Sequence, residues 1–337
     1  MAIVGIAELA YGVEDLALST RYFEDFGLPV EEKLADRTTF RLASGSAVLL
    51  RRISDPLLPK ACFAGSGVRE TIFAVDTPEA LERLARNLRG DRALRRDDDG
   101  SVHFLGPEGH ALGLRVQQRK PVICIPDPIN APDHIARLNL ARKWRVRARP
   151  KTIDHLGLYC DDYVAALEFF VERLGFRYTD HSCGLAAFAR ADGCYEHHTV
   201  FLLNSAAFHR SGPGFHHTSF GVEDLDEVMT GANYMARQGW PASEGGLGRH
   251  RISSALFWYQ QSPAGGEAEY HTDCDCVDDD WVPRAFEPTF GYTTWISNLL
   301  PFQMKHPEWA MQFDPKGESL QRYRHATQTA LHASMAS

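Results

Sequence analysis

Two stretches of this chain, far apart, spell the same structural sentence. Residues 6–27 read IAELAYGVEDLALSTRYFEDFG and residues 153–175 read IDHLGLYCDDYVAALEFFVERLG. Each runs from a short apolar strand through an acidic turn into an amphipathic helix that stops at glycine. A second echo relates VRETIFAVDTPE (68–79) to FHHTSFGVEDLD (215–226). The same shift of 147 residues takes Glu8 to His155 and Glu70 to His217. A constant offset across two separate motifs restricts the chain to tandem copies of one supersecondary unit. A looser third echo pairs HFLGPEGHALGL (103–114) with WYQQSPAGGEAEY (258–270), each a strand, a turn and a strand.

The unit can be read in detail. In the first copy Asp15 is placed to cap a helix, Leu16, Phe23 and Phe26 form its apolar stripe, and Gly27 ends it. In the later copy Asp161 or Asp162 caps, Val164, Leu167, Phe170, Val171 and Leu174 supply the stripe, and Gly175 stops it. Thr38–Leu42, Ala47–Arg51, Ala186–Ala189, Thr199–Leu203 and Ala255–Gln260 read as strands bounded by turn residues. Each half is therefore expected to hold two strand–helix–strand–strand–strand units. The class is α+β, built of tandem βαβββ modules whose sheets curve around a site. With 337 residues, each half is long enough to bury a core. The expected division is 1–117, a linker over 118–151, 152–280, and a tail over 281–337.

The linker carries prolines at 121, 126, 128, 132 and 150 and the basic run Arg142-Lys143-Trp144-Arg145-Val146-Arg147-Ala148-Arg149. It is expected to wrap the surface with its charge solvated or paired; an anion- or subunit-binding strip is the sharper alternative. The tail, with Trp295, Phe302, Trp309 and Phe313, is too apolar to hang free. It is expected to pack on a domain or a partner, and the chain to form a homo-oligomer. A net charge of −8 argues against a nucleic-acid partner. Apolar runs such as Ala255–Tyr259 fall far short of the roughly 20 residues that cross a bilayer. The N-terminus lacks the basic region of a secretory signal, and seven scattered cysteines suit a reducing cytoplasm.

The chemistry sits in the second half. His155 lies in Ile153-Asp154-His155-Leu156-Gly157, and strand alternation places it with Ile153, Gly157 and Tyr159. His217 lies in Phe215-His216-His217-Thr218, with His216 expected on the opposite face. Glu269 follows the Pro263-Ala264-Gly265 turn. Two imidazoles and one carboxylate on three strands could form a facial triad, which leaves three coordination positions of a metal open. Taken singly, each is more commonly a structural or solvated residue. Their equivalent positions in the repeat raise the odds. The matching slots of the first half hold Glu8, Glu70 and Gly113, so that half is read as metal-free, its carboxylates solvated or paired with Arg69 or Arg115.

His250, Tyr259 and Glu269 follow one another at intervals of nine and ten residues within Gly248-Arg249-His250 … Tyr259-Gln260-Gln261-Ser262-Pro263-Ala264-Gly265-Gly266-Glu267-Ala268-Glu269. This segment and the repeat resemble the vicinal oxygen chelate superfamily, and in particular its type I extradiol ring-cleaving dioxygenases, over about residues 3–117 and 152–273. The resemblance implies metal ligands His155, His217 and Glu269. It also implies active-site residues His198, from the pair His197-His198, together with His250 and Tyr259. Fe(II) is the implied cofactor, and Mn(II) would suit the same ligands. The implied substrates are a dihydroxylated aromatic ring and O2.

Other readings of the same residues stay open. A para-diol such as hydroquinone or gentisate would fit the triad. The metal could serve as a Lewis acid in an isomerase, epimerase or thiol transferase, or the modules could bind a ligand without metal. Among weaker signals, Gly245-Gly246 and Gly248 suggest a loop over the site. His209 and Arg210 could meet a substrate carboxylate or face solvent, and Cys274-Asp275-Cys276 reads as an exposed turn.

Overall fold

The computed structural model describes residues 2–288, 293–299 and 310–325. The first half runs β1 (Ile3–Val13), α1 (Leu16–Phe26), β2 (Val30–Lys33), β3 (Arg37–Arg41), β4 (Ala47–Arg52), then β5 (Gly67–Val75), α2 (Pro78–Leu88), β6 (Arg95–Arg96), β7 (Val102–Leu105), β8 (Ala111–Val116). The second half repeats the order with β9 (Thr152–Cys160), α3 (Tyr163–Leu174), β10 (Arg177–Ser182), β11 (Ala186–Arg190), β12 (Val200–Asn204), then β13 (Gly214–Gly221), α4 (Leu225–Arg237), β14 (Leu247–His250), β15 (Leu256–Gln261), β16 (Glu267–Thr272). The chain is thus mixed α+β, with four βαβββ modules in two sheets.

The helix ends follow their caps. The Asp15 side chain accepts from the Leu18 amide, and Gly27 closes α1 at φ +107°, in the left-handed region that glycine enters at no steric cost. Asp162, rather than Asp161, caps α3 by accepting from the Ala165 amide. In each half two modules join through their first strands, β1 with β5 and β9 with β13, both antiparallel. The first sheet has the order β2-β3-β4-β1-β5-β8-β7-β6. The second is larger, β18-β14-β15-β16-β13-β9-β12-β11-β10-β17-β19, because three tail strands join it: β17 (Arg284–Phe286), β18 (Thr293–Ile296) and β19 (Met311–Phe313). The tail therefore extends both edges of this sheet from within the same chain and leaves very short strands, β18 and β19, as its edges, which template another chain poorly. Phe302 and Trp309 lie outside the described residues.

A short helix α5 (Glu318–Tyr323) ends the described tail. Ser319 Oγ lies 2.8 Å from His181 Nε2, and Arg324 forks onto the Asp162 carboxylate at 2.6 Å. The two halves share one hydrophobic core, in which α1 lies on α4 and α2 on α3. Tyr11 of the first half stands 2.6 Å from Thr218, hydroxyl to hydroxyl, beside His217.

In the first half Glu8 pairs with Arg115 at 3.1 Å. Glu70 pairs not with Arg69 but with His103, at 2.7 Å. An imidazole does reach this site, but it arrives from β7 and is used up in a buried contact with the Glu70 carboxyl.

Candidate metal centre

Strand register brings the three candidate ligands together. Across β9, β13 and β16, Ser219 is the register partner of both His155 and Glu269. His217 sits two residues before Ser219, on the same face. A serine between the two flanking ligands leaves room that a larger side chain would fill. Gly157, opposite His217, is equally constrained, since a Cβ there would stand 2.6 Å from His217 Nδ1.

The resulting geometry is convergent. His155 Nε2 is 3.0 Å from His217 Nε2 and 3.3 Å from Glu269 Oε2, and His217 Nε2 is 3.7 Å from the same oxygen. Among the described residues this is the one group of three histidine, cysteine or carboxylate side chains whose ligand atoms all fall within 4.8 Å of one another. Glu269 is fully buried, and no donor reaches either of its oxygens in hydrogen-bonding geometry. An unpaired buried carboxylate costs several kcal/mol in a folded protein. Burial pushes its pKa upward, but the His155 and His250 imidazoles more than offset this, and the carboxyl is held well below the usual range. Burial pushes His155 below the ordinary imidazole value and His217 well below it, so both offer neutral nitrogen lone pairs. An anion with orphaned oxygens beside two neutral imidazoles fits a divalent cation.

The remaining candidates line the same cavity, of about 320 Å3. The His198 ring lies 4.0 Å from the His155 ring, and burial holds it neutral, well below the ordinary pKa. His197, its neighbour, turns away and bonds Asp180 at 2.9 Å. His250 Nε2 is 3.2 Å from the Tyr259 hydroxyl and 3.8 Å from Glu269 Oε1, and its ring stacks on Phe257 at 3.9 Å. Burial and the nearby Glu269 push the Tyr259 phenol well above its usual pKa, so it keeps its proton. Phe188, Phe201, Leu203, Phe208 and Ile252 form an apolar wall.

Strand alternation misplaces one residue. His216 does not face away from the cavity; it lines it. A β-bulge between Phe215 and His217 breaks the alternation on β13, and the extra residue swings back to the same side. His216 Nδ1 lies 2.5 Å from His217 Nδ1, and burial lowers its pKa to about 4. A ring hydrogen bond of this kind fixes which nitrogen of a ligand histidine stays free, here Nε2. Glu244 and Glu267 also line the cavity, as do Thr293 and Ile296 from the tail. No local pattern in the sequence marks these four. Ser243–Gly246 lies at the cavity wall, whereas His209 and Arg210 are exposed outside it, the Arg210 guanidinium resting 4.5 Å above the Tyr159 ring. Cys276 is exposed and Cys274 half-buried.

Residues 152–257 match the family model described as the Glyoxalase/Bleomycin resistance protein/Dioxygenase superfamily. Metapyrocatechase 2 of Cupriavidus necator is 28% identical over 291 residues, 82% of this chain and 83% of its own length. Among solved structures, a Mn(II)-bound glyoxalase from Novosphingobium aromaticivorans aligns with a TM-score of 0.69 at 20% identity, over 91% of this chain and 96% of its own. Homoprotocatechuate 2,3-dioxygenase from Arthrobacter globiformis aligns with a TM-score of 0.69 at 19% identity, over 90% of this chain and 92% of its own. At these identities the solved structures establish a shared fold.

Proposed function

We propose that the chain, whose residues 152–257 match the glyoxalase/bleomycin resistance protein/dioxygenase superfamily model, is an Fe(II)-dependent extradiol dioxygenase. It opens the ring of a catechol-type diol and inserts both atoms of O2. One observation carries this reading. His155, His217 and Glu269 converge on a single point in a cavity that His198, His250 and Tyr259 also line. The similarity to a metapyrocatechase supports it.

His155, His217 and Glu269 would hold the divalent iron, which would supply a Lewis acid and a template for the substrate. The side chains around it divide the remaining work. His198, neutral in its buried setting, takes a proton from one diol hydroxyl and returns it later, as a group titrating near or below neutrality can do. Tyr259, protonated, donates to a substrate oxygen, and His250 orients that donor. Phe188, Phe201 and Phe208 hold the ring plane and exclude water. No arginine or lysine lines the described cavity, and Glu244 and Glu267 do. The site therefore favours an uncharged diol, bare or with an apolar substituent. Seven free thiols support a reducing, cytoplasmic setting.

The test is to load metal-free protein anaerobically with Fe(II) or Mn(II), add a diol, and follow oxygen uptake and the yellow ring-fission absorbance. Stoichiometric uptake with catechol and a yellow product is expected. Uptake with hydroquinone alone moves the activity to para-diols. No uptake with any diol overturns the assignment and favours Lewis-acid chemistry on the same metal.

A further inference from the structure

The segment joining the halves has its polarity reversed. Four of its cations reach back to the body of the protein, and a fifth, Arg137, is held by the segment's own backbone. Arg142 pairs with Asp226, Lys143 with Glu223 at 3.1 Å, and Arg145 with Glu223 at 2.7 Å and Asp224 at 2.9 Å. Arg147 bonds the Glu24 carbonyl and lies 5.0 Å above the Tyr234 ring. Arg137 bonds the strap's own carbonyls of Pro128 and Leu140, at 2.6 and 3.1 Å.

Its apolar side chains face outward. Ile123, Ile125, Ile129, Ile135, Leu138 and Leu140 are 63–79% exposed, Val146 is 76% and Trp144 is 96% exposed. An aliphatic side chain of this size offers roughly 60–120 Å2 of apolar surface and a tryptophan roughly 150–250 Å2, so these eight offer on the order of 600–1,000 Å2. The largest patch on a typical monomer is about 300–600 Å2, and a standard interface takes about 800 Å2 from each partner.

We propose that the strap, residues 122–147, is the contact surface between copies of this chain. Two arguments select that occupant. A membrane surface would need free lysines and arginines toward the lipid, and here these are consumed by internal pairs. A surface this apolar needs cover at all times, and the partner always present at matching concentration is the chain itself, through a symmetric interface. The strap then explains its own construction: the ion pairs to the α4 end hold the backbone in place so that the apolar side is presented. This inference stands apart from the proposed activity.

Sedimentation velocity of the full chain over a wide concentration range tests it. A dimer or higher species is expected. Trp144→Glu, and separately Ile135→Glu with Leu138→Glu, should weaken association at least tenfold while metal uptake is kept. A wild-type monomer at every concentration, or variants that assemble as the wild type does, overturns the proposal, as does strap-dependent binding to anionic vesicles by a monomer. Should the charged variants fail to fold, acrylamide quenching of wild type against Trp144→Phe decides the matter. A shielded Trp144 supports the interface, and a freely quenched one overturns it.

Discussion

The Tyr270 hydroxyl donates to the Phe26 carbonyl at 2.7 Å, and the two rings stack 4.0 Å apart. Tyr270 is fully buried and adjoins Glu269 on β16. One face of this strand thus carries a candidate ligand, while the other is bolted to the end of α1 in the first half. The half without a metal cluster sets the position of the strand that carries the carboxylate. Removing the hydroxyl (Tyr270→Phe) strands a buried carbonyl and should cost about 1–2 kcal/mol in chemical denaturation. Tyr270→Ala adds a cavity and should cost about 3–5 kcal/mol.

His216 acts on His217 through a ring hydrogen bond. His216→Ala should lower divalent-metal affinity about 10–100-fold, measured by competition with a chelator, because outer partners of ligand histidines act on that scale. Glu269→Gln removes the one anionic member of the candidate ligand set and should lose more than that. Equal retention of metal by Glu269→Gln and wild type would remove Glu269 from the ligand set.

Away from the candidate metal centre, His181 should add acid sensitivity of its own, being fully buried with Tyr178 at 2.5 Å and Ser319 at 2.8 Å. Burial lowers its pKa from 6.5 to about 4, against the opposing pull of Asp314 and Asp180. Between these values the unfolded chain takes up a proton that the native state refuses. Its contribution is therefore complete above pH 6.5, declines as pH falls toward about 4, and then levels off. The loss should reach about 3 kcal/mol. In His181→Gln the same pH interval should produce a correspondingly smaller loss, read from denaturation midpoints at each pH.

Substrate charge is the sharpest handle on the cavity. With carboxylates but no described cation in its lining, 4-methylcatechol should exceed 3,4-dihydroxybenzoate in kcat/KM by at least about 100-fold. That ratio corresponds to about 3 kcal/mol, the scale of an unpaired charge in an apolar site. Comparable rates for the two would place an unrecognised cation at the site.

The module repeat, the helix cap at Asp15, and the strand positions of His155, His217 and Glu269 were all legible in the linear chain, and the second cap was narrowed to Asp161 or Asp162. Each is a local or periodic property, written in residue spacing. Three other features were not legible. The bulge at Phe215–His217 shifts His216 into the cavity, and bulges depend on how a neighbouring strand pairs. The pairing of Glu70 with His103 depends on β7 lying within reach of β5 through β8. The tail's capture of both sheet edges, and its gift of Thr293 and Ile296 to the cavity, require strands distant in sequence to meet.

By itself the sequence determined the module, its duplication and the residue types available for chemistry, because hydrophobic period and capping act over a few residues. Only the tertiary structure decided which nitrogen and oxygen atoms face one point, which histidine bonds the ring of His217 and which apolar side chains stay exposed. These outcomes depend on register and packing between segments whose separation along the chain carries no local signal.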